Sequence, residues 1–103
     1  MNWCLYVLEC KDGSYFCGIT NGITRRLEQH NAGSGAKYTR SRRPVTLKHH
    51  WPGLSHREAA KAEYRFKRLC RRRKEQAILD SSWPSSVLKE RHSADASSPD
   101  SAE

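Results

Sequence analysis

Three short runs of the chain have the length and the alternation typical of β-strands. Residues 3–9 carry apolar side chains on both faces, with Tyr6 among them, as in a strand that is covered on both sides. Residues 15–20 follow as a return strand after a turn. Residues 45–51 alternate apolar and polar positions. The pattern therefore predicts three strands, the first of them central or well covered.

The turn between the first two strands decides which side chains share a face. A two-residue Asp12-Gly13 loop would place Tyr6 on the face of Tyr15. A three-residue loop with Gly13 in the left-handed conformation would place Tyr6 beside Phe16 and Gly18. The local sequence is compatible with both loops, so the register stays open at this point.

Two longer stretches have the 3.6-residue period of amphipathic helices. The first runs from Asn21-Gly22 to about Asn31, and Arg26 and His30 flank its apolar stripe. The second begins at Ser55, which forms a capping box with a glutamate three residues later. Its predicted buried face holds Ala59, Ala62, Phe66, Leu69 and Cys70. At 100° per residue, Glu63 lies at the edge of that face.

The remaining segments are predicted as loops, turns, a last helix and a tail. Residues 37–43 form a basic loop, Pro52-Gly53 a turn, and a further helix ends near Leu79. The composition changes at residue 80. We therefore expect a folded domain over residues 1–80 and a largely disordered Ser/Pro/acidic tail over 81–103. Three apolar side chains of the tail are expected to pack back onto the domain: Trp83, Val87 and Leu88.

The charge is distributed unevenly between these two parts. Residues 1–79 hold 17 Lys or Arg against 6 Asp or Glu, a formal charge of +11, whereas residues 80–103 carry −3. A domain this basic repels itself unless it meets an acidic partner. Nucleic acid is the first candidate partner, and an anionic membrane surface is the second.

Cysteine usage and hydropathy indicate the cellular compartment. The four cysteines form no C-x-x-C pair, and no secretory signal or transmembrane stretch is recognisable. Reduced thiols and a cytoplasmic location are therefore expected. The pair His49-His50 and the scattered cysteines do not have the spacing of a zinc site.

The order of several residues resembles the GIY-YIG nuclease superfamily, and above all its small stand-alone bacterial members. The same fold forms the catalytic domain of excinuclease C. The resemblance covers about residues 3–80. Its matching segments, in chain order, are Cys4-Leu5-Tyr6, Phe16-Cys17-Gly18, Arg26 to His30, Gly35 to Arg40, and Glu63 within Ala62-Glu63-Tyr64-Arg65.

The resemblance implies an α+β fold with a small three-stranded antiparallel sheet flanked by helices. It also implies a metal-dependent endonuclease that hydrolyses phosphodiester bonds in DNA, with repair or recombination as its setting. Glu63 would hold one Mg²⁺ or Mn²⁺ ion, and Arg26 would stabilise the charge that develops on the phosphate. A motif tyrosine, of which this chain keeps Tyr6, would accept a proton from the attacking water, with nearby cations favouring its phenolate, and His30 would orient a ligand or a hydroxyl.

One position departs from the family pattern. Phe16 stands where the second motif has tyrosine, so that hydroxyl is missing. Tyr15 is adjacent but should point to the opposite face of its strand. If the missing tyrosine is the essential base, the protein is a catalytically impaired nucleic-acid-binding module. If Tyr6 or a metal-bound water supplies that function, cleavage survives. Gly18 is expected to let the backbone or the substrate approach closely.

Basic segments on either side of Glu63 are the predicted contacts to the nucleic-acid backbone. They comprise Lys37, Tyr38, Arg40, Arg42, Arg43, Arg65, Arg68 and Arg72. Contacts of this kind bind phosphates rather than read sequence, and Tyr38 is placed to stack on a splayed base. We expect DNA as the main partner, no membrane association, and a protein partner that supplies substrate recognition. A third hypothesis is an interaction protein whose acidic tail masks the basic face.

Overall fold

A computed structural model describes residues 2–88, which form an α+β domain. Its elements in chain order are β1 (Trp3–Glu9), β2 (Tyr15–Thr20), α1 (Ile23–Asn31), α2 (Lys37–Arg40), β3 (Thr46–Leu54), α3 (His56–Lys67), α4 (Arg71–Leu79) and α5 (Ser85–Leu88). The three strands form one antiparallel sheet in the order β2-β1-β3. The expected fold class is therefore confirmed, and β1 is the central strand.

The β1–β2 connection is the three-residue loop. The Cys10 N–H donates to the Ser14 carbonyl at 2.8 Å, and Gly13 takes a φ of +84°. Glycine suits that conformation because it has no Cβ to clash. The resulting register pairs Tyr6 with Gly18 and puts Phe16 on the same face of the sheet.

Both faces of the sheet are covered, as the apolar pattern of β1 predicts. Leu5 and Val7 belong to a core that α3 and α4 complete with Phe66 and Ala77. Tyr6 belongs to a second, smaller core on the opposite face, against which α1 packs. Because neighbouring side chains of a strand alternate between faces, β1 contributes to both cores. The candidate chemistry lies on the α1 side.

Helix α3 begins as predicted but ends early. The Ser55 hydroxyl accepts from the Glu58 N–H at 3.0 Å, and the Ser55 N–H donates to the Glu58 carboxylate at 2.9 Å, completing the capping box. The helix ends at Lys67. The placement of Cys70 on its buried face is wrong, because Cys70 is exposed and precedes α4.

Two predicted irregular segments are regular in the structure. Pro52-Gly53 is part of β3, which continues to Leu54. A proline is tolerated there because β3 is an edge strand, and its register against β1 shifts between Trp3 and Leu5. In the basic loop, residues 37–40 form the single turn α2, whose backbone bonds converge on the Ala36 carbonyl.

The first residues of the predicted tail take part in the core. Trp83 is buried, with its ring 4.7 Å from that of Trp51 and 5.6 Å from that of Phe66. Val87 and Leu88 pack against the same cluster, as expected. The rest of the predicted tail, residues 89–103, lies outside the described residues, as does its proposed masking role. No helix within residues 2–88 has the length and apolar character needed to cross a membrane.

Candidate functional site

The site is organised around the Tyr6 side chain. Its ring lies across Gly18 of the edge strand β2, and a Cβ built on that glycine would be 2.7 Å from the Tyr6 hydroxyl oxygen. Real Cβ atoms do not come so close to oxygen, so glycine alone fits without displacing the phenol. Gly18 thus permits the close approach of a side chain, and Tyr6 reaches towards the outer edge of β2.

Helix α1 brings Arg26 and His30 to the same hydroxyl. The Tyr6 oxygen lies 3.0 Å from Nε2 of His30, and the Nε–H of Arg26 donates to it at 3.3 Å. The two α1 residues are four apart, so they lie one turn from each other on one side of the helix. His30 is completely buried, and Tyr6 is almost so. Three residues singled out from the sequence therefore meet at one oxygen atom.

Burial controls the protonation of this cluster. Burial raises the pKa of the Tyr6 hydroxyl, and the hydrogen bond and charge of Arg26 only partly oppose that rise. The expectation that nearby cations favour the phenolate is therefore wrong, because removal from water outweighs them. Burial and the Arg26 charge both lower the pKa of His30. At neutral pH the cluster is thus a neutral phenol beside a neutral imidazole.

Glu63, the candidate metal ligand, is carried by α3. Its helix, α3, packs on the face opposite Tyr6, yet its charge contributes to raising the pKa of Tyr6. Burial raises the pKa of the Cys17 thiol to about 11, and Glu63 adds to that rise as well. Tyr6 and Cys17 belong to opposite faces of the sheet. Helix α3, which carries Glu63, contacts both β1 and β2.

The residues present fit a hydrated divalent ion rather than a protein cage. Within residues 2–88, no group of three or more His, Cys, Asp or Glu is arranged to hold a metal. Glu63 is partly exposed and pairs with the exposed Lys67 at 3.3 Å. Such surface pairs contribute at most about 1 kcal/mol, so an ion can displace the lysine. One carboxylate plus water and substrate phosphate is a usual Mg²⁺ environment.

Phe16 occupies the altered motif position on the Tyr6 face. Its ring meets His30 edge-on at 5.3 Å and stacks on Tyr38 at 5.9 Å. Tyr15 packs on the other face, where the Arg71 guanidinium lies 3.6 Å from its ring centroid. Tyr15 therefore does not replace the missing hydroxyl, as the strand alternation predicts.

The predicted nucleic-acid contacts fall on two sides of the molecule. Lys37, Tyr38 and Arg40 are on α2, beside the Tyr6 cluster, and line an open groove of about 530 Å³ together with Ser41 and Arg42. By contrast, Arg65 and Arg68 belong to α3 and its C-terminal cap, and Arg72 belongs to α4. Those helices cover the opposite face of the sheet. The α2 group adjoins the Tyr6 cluster, because Thr39 of the same turn contacts His30.

Two arginines of the basic segment already hold the backbone in place. Arg42 donates to the Asp12 carboxylate at 3.1 Å and to the Tyr38 carbonyl at 2.9 Å, and its guanidinium stacks on the Tyr38 ring. Arg43 donates to the carbonyls of Arg40 and Asn31. Both guanidinium groups therefore use some of their N–H donors to stabilise the loop.

Two further residues of the site were not predicted from the sequence. Gln29 accepts a hydrogen bond from Arg26 at 3.0 Å, and its spacing of three residues along a helix could have identified it. Thr39 is fully buried, with its hydroxyl 2.8 Å from Nδ1 of His30. No local pattern points to Thr39, because its partner lies nine residues away across a loop.

Comparison with known proteins assigns the fold and the family. The family model of the GIY-YIG catalytic domain matches residues 2–76. A UPF0213 protein of Bacillus cereus is 55% identical over 73 residues, which is 71% of this chain and 76% of the relative. A UPF0213 protein of Halobacterium salinarum is 54% identical over 71 residues, or 69% of this chain and 92% of the relative. These names state no activity.

Solved structures agree with the same assignment. The solution NMR structure of a UPF0213 protein from Bacillus halodurans is 42% identical, with a TM-score of 0.52 over 90% of this chain and 99% of the other. That of a protein from E. faecalis is 41% identical, with a TM-score of 0.53 over 87% and 91%. The likeness therefore extends over nearly the whole described domain.

Proposed function

The chain belongs to the GIY-YIG family of nuclease-type domains, and from this membership and the site geometry we propose that it is a metal-dependent endonuclease that hydrolyses phosphodiester bonds in DNA. The observation that supports the proposal most is the Tyr6 hydroxyl, held between the Arg26 guanidinium and the buried His30 ring. That arrangement provides a proton acceptor beside a fixed cation, which is the pairing that phosphate hydrolysis by water requires.

Arg26 would bind the scissile phosphate. Its guanidinium is oriented by Tyr6 through Nε and by Gln29 through one terminal nitrogen. An arginine presents five N–H donors, so further N–H groups are left to donate to phosphate oxygens. Because the guanidinium is already oriented, it can stabilise the additional negative charge of the transition state with little reorganisation.

Tyr6 and His30 would move the proton of the attacking water. A preformed phenolate is disfavoured because burial raises the pKa of Tyr6. The phenol must therefore give up its own proton as it receives another. As the water oxygen bonds to phosphorus, its proton passes to the Tyr6 oxygen and the Tyr6 proton passes to Nε2 of His30. The P–O bond to the leaving sugar oxygen breaks, and that oxygen takes a proton from solvent. His30, which is buried, later returns its proton through the Tyr6 hydroxyl.

Glu63 would hold the single divalent ion, Mg²⁺ or Mn²⁺. When bound, such an ion supplies positive charge to the phosphate and the leaving oxygen. The carboxylate is suited to this because it is partly exposed and pairs with Lys67, which an ion can displace.

The groove beside α2 would track the DNA backbone. Lys37 and Arg40 lie on the same helical turn as Thr39, which touches His30, so phosphates bound there are adjacent to the cluster. Arg42 stacks on Tyr38, giving a flat cationic surface on which an unpaired base can rest. Arg43, and Arg65, Arg68 and Arg72 on the far helices, would extend the basic surface. Such contacts recognise the backbone and depend on salt.

The cellular setting is also part of the proposal. The four cysteines of the chain are free, which supports a reducing compartment such as the cytoplasm. Repair or recombination intermediates that a protein partner presents are the substrates we propose. The proposed domain is the basic unit of residues 1–80 together with the packed residues up to Leu88.

Tyr6→Phe is the variant that tests this proposal. Supercoiled plasmid and labelled branched duplexes are incubated with Mg²⁺ or Mn²⁺, and nicking rate and DNA affinity are measured. We expect the rate to fall by roughly 10²–10⁴, with DNA affinity unchanged, because only the hydroxyl is lost. Tyr15→Phe makes the same change on the other face and should nick normally. If the Tyr6→Phe variant nicks DNA at the wild-type rate, the role of Tyr6 in proton transfer is refuted.

Phe16 supports a second candidate, a nucleic-acid-binding module that does not cut. Its ring faces His30 without the hydroxyl that the family motif carries. This alternative predicts that the wild-type chain binds DNA but nicks no substrate with either metal, and that Phe16→Tyr introduces cleavage. Nicking by the wild-type chain excludes it.

A further inference from the structure

A continuous line of hydrogen bonds runs from Arg26 through the buried cluster to the backbone of α2. Its members are Arg26, Tyr6, His30, Thr39 and the Ala36 carbonyl, joined at 3.3, 3.0, 2.8 and 3.0 Å. The two middle distances involve histidine nitrogens, each of which can donate or accept. The two ends cannot: an arginine N–H only donates, and a carbonyl only accepts. The ends therefore determine the direction of the whole line.

The carbonyl end determines the proton on Nδ1. The Thr39 hydroxyl oxygen lies 3.0 Å from the Ala36 carbonyl oxygen, and two oxygens attract at that distance only if the hydroxyl donates. Thr39 has a single hydroxyl hydrogen, so its oxygen must act as acceptor towards His30. Nδ1 must then carry hydrogen and donate to Thr39.

The arginine end leads independently to the same tautomer. Arg26 donates to the Tyr6 oxygen, so the Tyr6 hydrogen must point elsewhere. Among the described residues, Nε2 of His30 is the acceptor placed to receive it. Nε2 can accept only if it bears no hydrogen, which again leaves the hydrogen on Nδ1.

We propose that Thr39 is a positioning residue that holds His30 in the tautomer protonated on Nδ1, and so keeps Nε2 open to the Tyr6 proton. The inference rests on the proposed function for its consequence in the reaction, but the tautomer itself is a property of the resting protein. The loop is shaped for this contact: a Cβ at Gly35 would lie 2.5 Å from Nδ1, so the chain closes tightly over the ring. Without Thr39, hydrogen on Nε2 would point at the Tyr6 oxygen and occupy the place where the proton must arrive.

The tautomer is measured first on the unaltered protein. In ¹⁵N-labelled protein at neutral pH, the two ring nitrogens of His30 differ in chemical shift, and their couplings to the ring protons identify which one bears hydrogen. We expect hydrogen on Nδ1. Hydrogen on Nε2 overturns the proposal, whether or not the protein cuts DNA. Conversely, absence of cleavage together with hydrogen on Nδ1 refutes the proposed function and leaves the tautomer assignment standing.

Variants then test the role of the hydroxyl. Thr39→Val should shift the His30 signals towards hydrogen on Nε2 and lower kcat by roughly 10²-fold with KM unchanged, because a wrong tautomer cannot accept the proton. Thr39→Ser keeps the hydroxyl, so its His30 signals and its kcat should match those of the wild type. Thr20→Val removes another buried hydroxyl and should leave the His30 signals unchanged. Unaltered His30 signals in a folded Thr39→Val protein, or altered signals with an unaltered kcat, would contradict the assignment.

Discussion

The hydroxyl of Tyr6 and the Nε2 atom of His30 lie 3.0 Å apart, although 24 residues separate them in the chain. Tyr6 comes from the central strand and His30 from the last turn of α1. His30 is fully buried, whereas about 1% of Tyr6 remains exposed. A hydrogen bond in such surroundings is electrostatically stronger than one in water, and its partners are costly to separate. Four predictions test this cluster and its surroundings.

Gly18→Ala should disable the site from the neighbouring strand. The added Cβ would lie 2.7 Å from the Tyr6 oxygen, so the phenol must move away from Arg26 and His30. We expect slower nicking and a loss of about 1–3 kcal/mol in the free energy of unfolding, as for other overpacked sites. Urea unfolding and nicking assays measure the two effects. A variant that cuts at the normal rate would show that the position of the phenol is unimportant.

Glu63→Gln should abolish metal-dependent cleavage while keeping the fold. We expect nicking to fall by at least about 10²-fold, since a neutral amide binds Mg²⁺ poorly. Stability should change by no more than about 1 kcal/mol, because the pair with Lys67 is partly exposed to solvent. DNA affinity without metal should stay the same or rise, because one negative charge is gone. The nicking rate is measured as a function of Mg²⁺ concentration, and DNA affinity is measured by gel shift.

Glu75→Gln is the matched control for the Glu63 variant. Glu75 also pairs with a basic residue four positions away, Arg71, but on α4. The Glu75→Gln variant should nick DNA at the normal rate and with the normal dependence on metal. Equal losses in the two variants would mean that general charge, rather than metal binding at Glu63, explains the effect.

Arg26→Lys should reduce kcat although the charge is retained. A lysine ammonium is a point charge and cannot reach Tyr6, Gln29 and a phosphate at once, as the guanidinium fork can. We expect a loss of roughly 10²-fold, typical of removing one donor to the transition state. Arg25→Lys changes the exposed neighbour, which bonds Asn21, and should cut normally. Full activity of Arg26→Lys would limit Arg26 to nonspecific attraction of DNA.

Acid should destabilise the protein in a window set by His30. Burial, followed by the Arg26 charge, lowers its pKa from the ordinary value of 6.5. Below pH 6.5 the unfolded chain takes up a proton that the folded chain refuses, so this stabilisation is complete above 6.5 and is lost as the pH falls towards the folded pKa. His49, whose pKa burial also lowers, acts in the same direction.

Urea midpoints between pH 7.5 and 5 measure this dependence. The His30→Gln variant should show a weaker dependence of the urea midpoint on pH, whatever the effect of the substitution on stability at pH 7.5. The window is separate from that of Asp12, whose pKa is held below 3.8 by its hydrogen bonds to Ser14. If the urea midpoint changes with pH equally in the wild type and in His30→Gln, His30 is not shielded from protonation.

Local periodicity was sufficient to predict the three strands and the helices α1, α3 and α4, but not the short helices α2 and α5. Alternation in residues 3–9 correctly assigned Tyr6 and Leu5 to opposite faces. The capping box located the start of α3. Errors arose where tertiary packing overrides local signals: Pro52-Gly53 is accommodated on an edge strand, and α3 stops three residues before Cys70.

The sequence by itself identified Tyr6, Arg26, His30 and Glu63 as the candidate residues, because their order and spacing resemble the GIY-YIG pattern. It also left the β1–β2 register open between two turns. Only the tertiary structure decided that register, the raised pKa of Tyr6 and the contact of Thr39 with His30. The physical reason is that spacing along a chain determines the direction of a side chain on its own element. Desolvation and hydrogen-bond direction depend on atoms that other elements bring close.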